Sequence, residues 1–190
     1  KKNTRYNIGY AERKGEEVKT YSLEDENIDE KLSEFYDLLE EMQERSSGYP
    51  IRSKKYFKKL FKEFKGTDSI VLFEVSYKGD VIAMNISEFT DVWASSFYAG
   101  SNRLHRKVKA PYQLRWQSIK EAKERGCKVY DFWGIIPDSK HHKGYSDHKL
   151  SFGGDRVDYV GIIRYSIVWK AYLYEMAIKF HQLTTRLVWR

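Results

Sequence analysis

The chain has 190 residues, 41% of them hydrophobic and 32% charged, a composition suited to one compact core and not to a disordered or fibrous chain. Its net charge of +7 points to an anionic partner, whether RNA, a phosphorylated precursor or an anionic membrane surface, without choosing among them. A single cysteine, Cys127, excludes an intrachain disulfide or a cysteine-based zinc cluster, and the chain reads as intracellular.

No apolar run approaches the roughly 20 residues that a membrane-crossing helix needs, and no signal peptide is visible. Beginning at Lys1 and not at Met, the sequence reads as a fragment or an excised domain. Arg5 to Lys14 forms a short basic helical piece, and Val18 to Ser22 a short strand. Asn27 and Glu30 have the spacing of a capping box. Ile28, Leu32, Phe35, Leu38, Leu39 and Met42 then mark one apolar helix face, broken at Ser46-Ser47-Gly48-Tyr49-Pro50. Ser53 caps a second helix with Tyr56, Phe57, Leu60, Phe61 and Phe64 at helical spacing, closed by Gly66-Thr67-Asp68.

Three strands follow: Ile70 to Tyr77, Val81 to Phe89 after a Lys78-Gly79-Asp80 hairpin turn, and Val92 to Ala99. Pro111 suits the first turn of the next helix, where its missing N–H costs nothing, and Gly126 stops that helix. Lys128 to Ile135 is a β-branched and aromatic strand. A polar loop from Asp138 to Asp147 comes next, then a last strand from Arg156 to Tyr165 and a long helix from Ile167 to Leu187. That helix interleaves apolar residues with Lys170, Lys179, Arg186 and Arg190, so it either packs on the sheet or lies at a membrane interface. The order implies one α/β domain spanning 1–190, with a mixed, mostly antiparallel sheet flanked by helices on both faces.

The run LRWQSIKEAKERGCKVYDFWGI, followed by HKLSFGGDRVDYVG, resembles the second half of the Fem-type aminoacyltransferases, which build peptidoglycan interpeptide bridges from aminoacyl-tRNA. RYNIGYA is similar to a basic segment that opens the second subdomain of those proteins, and the matched features extend from about Arg5 to about Ile163. The resemblance implies a GNAT-like acyltransferase fold, with the family's first half absent from this chain. It also implies a cytoplasmic protein that contacts the inner membrane face peripherally. Its partners are aminoacyl-tRNA and a UDP-muramyl pentapeptide or lipid-linked precursor, with no cofactor.

The resemblance also assigns residues. Lys149 aligns with the lysine of the family's Phe-Lys…Phe-Gly motif and is the candidate catalytic residue. Acyl transfer from an ester to an amine passes through a tetrahedral oxyanion, and a fixed cation beside that oxygen lowers the barrier by several kcal/mol. His148 replaces the family's aromatic neighbour, and an imidazole still stacks. Arg52 and Tyr56, four apart across a helix start, match an Arg and a Tyr that hold the acceptor, and Tyr98 in FYAGSNR matches a further acceptor contact.

Arg103, Arg106, Lys107 and Lys109 lie just before the helix that starts at Pro111, where cations and a helix N-terminus favour phosphate. Acetyl-CoA enzymes of the GNAT class carry a glycine-rich loop there. SNRLHRKVKAP has none, which argues against acetyl-CoA. The five histidines have no metal-ligand spacing, and no metal is expected. Cys127 reads as a small buried hydrophobe and Asp131 as a hydrogen-bonded strand residue. The competing readings are an acyl-CoA-dependent N-acyltransferase and a non-catalytic basic module that binds RNA or membrane.

Overall fold

The computed structural model describes residues 1–45, 50–136, 143–161 and 168–188, with side chains through residue 181. It divides into two compact units, Lys1–Gly154 and Asp155–Arg190.

The first unit is built on a five-stranded sheet in the order β1-β2-β3-β4-β5. Strands β1 (Glu17–Ser22), β2 (Ile70–Tyr77), β3 (Asp80–Phe89) and β4 (Trp93–Ser101) form an antiparallel meander. β5 (Val129–Asp131) joins parallel to β4. Lys78 and Gly79 both have positive φ, 54° and 88°, which is the backbone a two-residue hairpin needs to follow the strand twist.

Both faces of the sheet are covered, so β2 is buried from Ile70 through Ser76, Glu74 included. Ile70 and Leu72, with Met84 and Ile86 of β3, pack against α2 (Ile28–Arg45) and α3 (Lys54–Phe64) through Leu32, Phe35, Leu39, Phe57 and Phe61. Val71, Phe73 and Val75 face the other way, toward Val108, Leu114 and Ala122 of the crossover from β4 to β5. That crossover contains α4 (Ala110–Glu124), and α1 (Lys2–Arg13) packs beside it. Gly100 marks the closest approach of sheet and helix: a Cβ there would stand 3.1 Å from Leu38 Cβ and 3.2 Å from the Leu39 nitrogen. Between α2 and β2, Lys31 Nζ lies 2.9 Å from the buried Glu74 carboxylate and 2.8 Å from Glu34.

Two elements differ from the sequence expectation. The strand expected over Lys128 to Ile135 is only three residues long, and the polar stretch before Lys149 is a helix, α5 (Lys143–Ser151). The first part of the expected Asp138–Asp147 loop lies outside the described residues.

In the second unit, residues 156–161 form no strand, and the remainder of the expected Arg156–Tyr165 strand lies outside the described residues. Its helix α6 (Trp169–Val188) has no buried side chain between Val168 and His181. No helix among the described residues is long and apolar enough to cross a membrane.

Candidate active site

β4 and β5 pair only over Trp93–Ser95 and Val129–Asp131. Beyond Ser95 the two chains part. At the same point β4 carries a bulge against β3: Ile86 faces Tyr98 but Ser87 faces Ser96, so Phe97 is the extra residue. A bulge re-aims the side chains next to it, and here it sits at the mouth of the opening. On the β4 side Phe97 meets Tyr98, and across the gap it meets Trp133, which follows β5.

Lys149 closes the β5 side. α5 has no apolar stripe of its own and is held by tertiary bonds. Lys149 Nζ donates to the Gly134 carbonyl at 2.9 Å, and the Ile136 N–H donates to Ser146 Oγ at 3.1 Å. At its end, the Thr4 hydroxyl donates to the Ser151 carbonyl at 2.6 Å. Lys149 is only 3% exposed, and its ammonium lies 4.1 Å from the centre of the Tyr145 ring. Burial pushes its pKa from 10.5 down to about 7; Arg115 adds to the fall and Asp131 opposes it. A lysine in this state exchanges its proton near neutral pH.

His148 is packed between aromatic rings, 4.6 Å from Tyr112 and 5.4 Å from Phe152. Burial, then the charges of Arg115 and Lys149, lower its pKa to about 4, so the ring is neutral. Asp131 accepts the Trp133 N–H at 2.7 Å, and this places a carboxylate on the same turn as Gly134. The expectation of a hydrogen-bonded Asp131 matches that geometry. Cys127 is half-buried, with its thiol toward the Thr90 carbonyl at 3.3 Å.

The acceptor candidates meet one another. Ser53 caps α3 by accepting the Tyr56 N–H at 3.3 Å, which fixes where Arg52 and Tyr56 project. The Arg52 guanidinium lies 5.6 Å from the Tyr56 ring centre, and the Tyr98 hydroxyl donates to Tyr56 Oη at 3.3 Å. Burial first and then Tyr56 raise the Tyr98 pKa, with Arg52 pulling the other way. From Tyr98 the contact runs through Phe97 to Trp133, whose rings meet edge-on at 5.1 Å, and so to Gly134 and Lys149. Arg52, Tyr56 and Tyr98 thus meet one another, and a chain of ring and backbone contacts links them to the buried Lys149.

Three features around Lys149 were not anticipated from sequence. Trp133 is 53% exposed and has φ +65°, a conformation that costs a bulky residue ~1 kcal/mol or more. Arg115 is 6% exposed, on the face of α4 that it shares with the buried Ser118 and Ala122. Its guanidinium lies 5.7 Å from the Phe132 ring centre and donates to Asn85 Oδ1 at 3.4 Å. Asn85 belongs to a buried polar column. It accepts from Ser96 at 2.8 Å and donates to Ser87 Oγ at 2.5 Å; Ser87 and Ser118 share a hydrogen bond of 2.7 Å, and the Tyr130 hydroxyl donates to Ser118 Oγ at 2.9 Å. The run of Asn85 and Ser87 through an otherwise apolar strand was the available sequence signal.

The basic loop leads into the N-terminal end of α4, the end at which Tyr112 meets His148. Arg106–Val108 form one turn of 3-10 helix, and Lys109 precedes α4 with φ 72°. Lys107 and Lys109 line a shallow groove with Tyr6, Asn7 and Tyr10 of α1, while Arg103 and Arg106 do not. Among the described residues, no group of three or more His, Cys, Asp or Glu is arranged to hold a metal.

A short parallel β4–β5 pair at the edge of an antiparallel meander, with a crossover helix between them, is the arrangement of an acyltransferase fold. Residues 2–149 match the acetyltransferase (GNAT) domain family, and the chain belongs to that family. Among solved structures it is similar to FemX, with a TM-score of 0.68 at 16% identity over 78% of this chain and 52% of that one. The chain therefore spans about half the length of FemX. It is also similar to a predicted acetyltransferase from Clostridium acetobutylicum with acetyl-CoA, with a TM-score of 0.57 at 13% identity over 78% and 96% of the two chains. The aminoglycoside acetyltransferase HMB0005, from an uncultured soil metagenomic sample, gives 0.56 at 12% identity over 80% and 99%. At these identities the likeness is one of fold. Comparison with curated proteins returns no match.

Proposed function

We propose that this chain is the second, GNAT-like half of a Fem-type aminoacyltransferase. It would move an aminoacyl group from tRNA to the side-chain amine of a muramyl pentapeptide. The observation that carries the reading is the buried Lys149, held by Gly134, with a chain of contacts through Trp133 and Phe97 that links it to Tyr98, Tyr56 and Arg52. The sequence resemblance and the fold shared with FemX support the same reading.

In the reaction, the acceptor amine nitrogen attacks the ester carbon of the aminoacyl-tRNA. The carbonyl electrons move onto oxygen, and the ester C–O bond then breaks. An amide forms, and the amine's proton ends on the departing ribose oxygen. Lys149 in its charged form stabilises the oxyanion, while Arg52, Tyr56 and Tyr98 orient the acceptor. Neutral His148 supplies an aromatic face beside Lys149. Charged tRNA places the reaction in the cytoplasm, and a lipid-linked acceptor would bring the protein to the inner membrane face.

The acetyl-CoA-bound neighbour favours one alternative, an acyl-CoA-dependent transfer. Against it, Lys109 occupies the positive-φ position before α4 and Pro111 removes a backbone N–H from the helix start, where a pyrophosphate cradle needs bare amides. The deciding assay supplies tRNA charged with a labelled amino acid and UDP-linked muramyl pentapeptide. It is run on this chain and on the longest natural protein that contains it, each with and without Lys149→Met. Label transfer that is lost in the variant supports the reading. No transfer by either protein, together with acetyl-CoA binding, replaces it with the acyl-CoA alternative.

A further inference from the structure

We propose that α6 pairs with the α6 of a second copy of this chain, through an apolar seam that the chain itself leaves uncovered. The proposal concerns assembly and stands apart from the reaction proposed above.

The sequence of α6 repeats apolar residues at the interval of a coiled coil. Trp169, Leu173, Met176, Phe180, Leu183 and Leu187 follow one another at alternating steps of four and three. That heptad spacing keeps one narrow line of side chains facing a partner helix. The four whose side chains are described, Trp169, Leu173, Met176 and Phe180, are between 49% and 69% exposed.

The seam is not the side of α6 that is covered. Ala171, Glu175 and Ile178 are half-buried, and at helical spacing they lie across the helix from Leu173, Met176 and Phe180. In α2 and α3 the order is the usual one, with Leu32, Phe35 and Phe57 fully buried in the core. Helix α6 reverses it and turns its apolar line to solvent.

Size and charge both suit a second copy. Helix α6 has 20 residues, which makes it about 30 Å long. Burying the six seam side chains would remove roughly 500–1,000 Å² of each helix from water. A specific interface takes about 800 Å² from each partner. The positions beside the seam let the helix meet itself. In a parallel pair, Tyr172 faces Ala177 of the second copy and Lys179 faces Thr184 of the second copy, so no like charges meet there. A bilayer suits the helix less well. A helix that lies on a membrane carries a strongly charged face behind its apolar one. Behind the seam, α6 carries Ala171, Tyr174 and Ile178, with the acid Glu175 among them.

The test is sedimentation velocity of this chain over roughly a hundredfold range of concentration about the micromolar level. A reversible monomer–dimer equilibrium is expected. Leu173→Glu/Phe180→Glu puts a charge into two layers of the seam and should weaken association at least about 100-fold. Leu173→Ala/Phe180→Ala, which adds no charge, should weaken it about tenfold or more. Tyr174→Glu places the same charge outside the seam and should dimerise as the parent does. Circular dichroism checks that each variant keeps its helix content. A chain that stays monomeric throughout overturns the proposal, and so does a dimer that neither double variant weakens. Phosphatidylglycerol vesicles provide the competing partner: a monomeric chain that binds them, and loses that binding in Leu173→Glu/Phe180→Glu, makes the seam a membrane contact and overturns the dimer. The longest natural protein that contains this chain is run alongside. If that protein is a monomer, its own remaining residues cover the seam and the proposal falls. Transfer that depends on Lys149 is scored separately, so the dimer and the reaction stand or fall independently.

Discussion

Lys149→Met separates the cost of the lysine from its use. Methionine keeps the length and the apolar stem and removes the charge. In the folded chain the ammonium titrates at about 7, against an ordinary 10.5. The unfolded chain therefore holds this proton up to about pH 10.5, whereas the folded chain holds it only up to about 7. Between those values the unfolded state binds more protons, so stability rises with pH. The penalty is fully present below pH 7 and gone above about 10.5. At ~1.4 kcal/mol per pH unit it amounts to about 4 kcal/mol at neutral pH.

Removing the side chain also strips the Gly134 carbonyl of its donor, which costs ~1–3 kcal/mol if no water replaces it. The balance is a stabilisation of ~1–3 kcal/mol at pH 7, or a Tm higher by roughly 2–10 °C for a chain of this size. The assay is thermal unfolding of both proteins at several pH values from 6 to 10, with aminoacyl transfer measured alongside. The variant should unfold later at pH 7, lose the rise in stability between pH 7 and 10, and transfer roughly 10²–10³-fold more slowly. A variant less stable than the parent, with the alkaline rise intact, would show that the Lys149 ammonium is not under burial strain and would refute the reasoning. A parent enzyme whose rate rises between pH 6 and 8, following loss of the Lys149 proton, would assign the neutral amine a base role in place of the oxyanion role.

Three further substitutions test the surroundings. Trp133→Gly relieves the positive-φ strain, so stability should change by less than ~1 kcal/mol in urea unfolding, while the KM for the acceptor rises about tenfold if the exposed ring forms part of the acceptor wall. Lys31→Met leaves the buried Glu74 carboxylate without its cation and should cost ~3–5 kcal/mol; adding Glu74→Leu should restore most of that, and a double variant no better than the single would contradict the pairing. Gly100→Ala drives a methyl against Leu38 Cβ at 3.1 Å and should cost ~1–3 kcal/mol in the same urea assay, with no loss if α2 moves aside freely.

What the sequence made legible follows from what periodicity reports. A repeat of apolar residues records which face is buried, so α2, α3 and the strands β2 to β4 were readable, and Leu32, Phe35, Phe57, Ile70 and Leu72 lie in the core as their spacing predicts. α5 was not readable, because KGYSDHKLS has no apolar face and the helix is held by Lys149, Ser146 and Thr4 bonding to distant backbone. The shortness of β5 was equally hidden. Lys128 to Ile135 has strand-forming side chains throughout, but the bulge at Phe97 turns β4 aside after three pairs. Local preference proposes a strand, and the partner's geometry decides how much of it pairs.

The same logic explains why one half of the candidate site could be named from the chain and the other could not. Arg52, Tyr56, Tyr98, His148 and Lys149 stand in motifs, where spacing along the sequence carries the information. Arg115 stands in no motif, and nothing local to α4 says that a polar column will rise to meet it. That column is distributed over Asn85, Ser87, Ser96, Ser118 and Tyr130, which lie on two central strands, a crossover helix and an edge strand. Each of these groups would cost stability if buried alone, and each is tolerated because the others satisfy it. The column ends at a cation that lowers the pKa of both His148 and Lys149. A network that replaces apolar core to fix a guanidinium at that point is a stability cost borne at the candidate site, and it makes Arg115 a residue that helps hold Lys149 near its titration point.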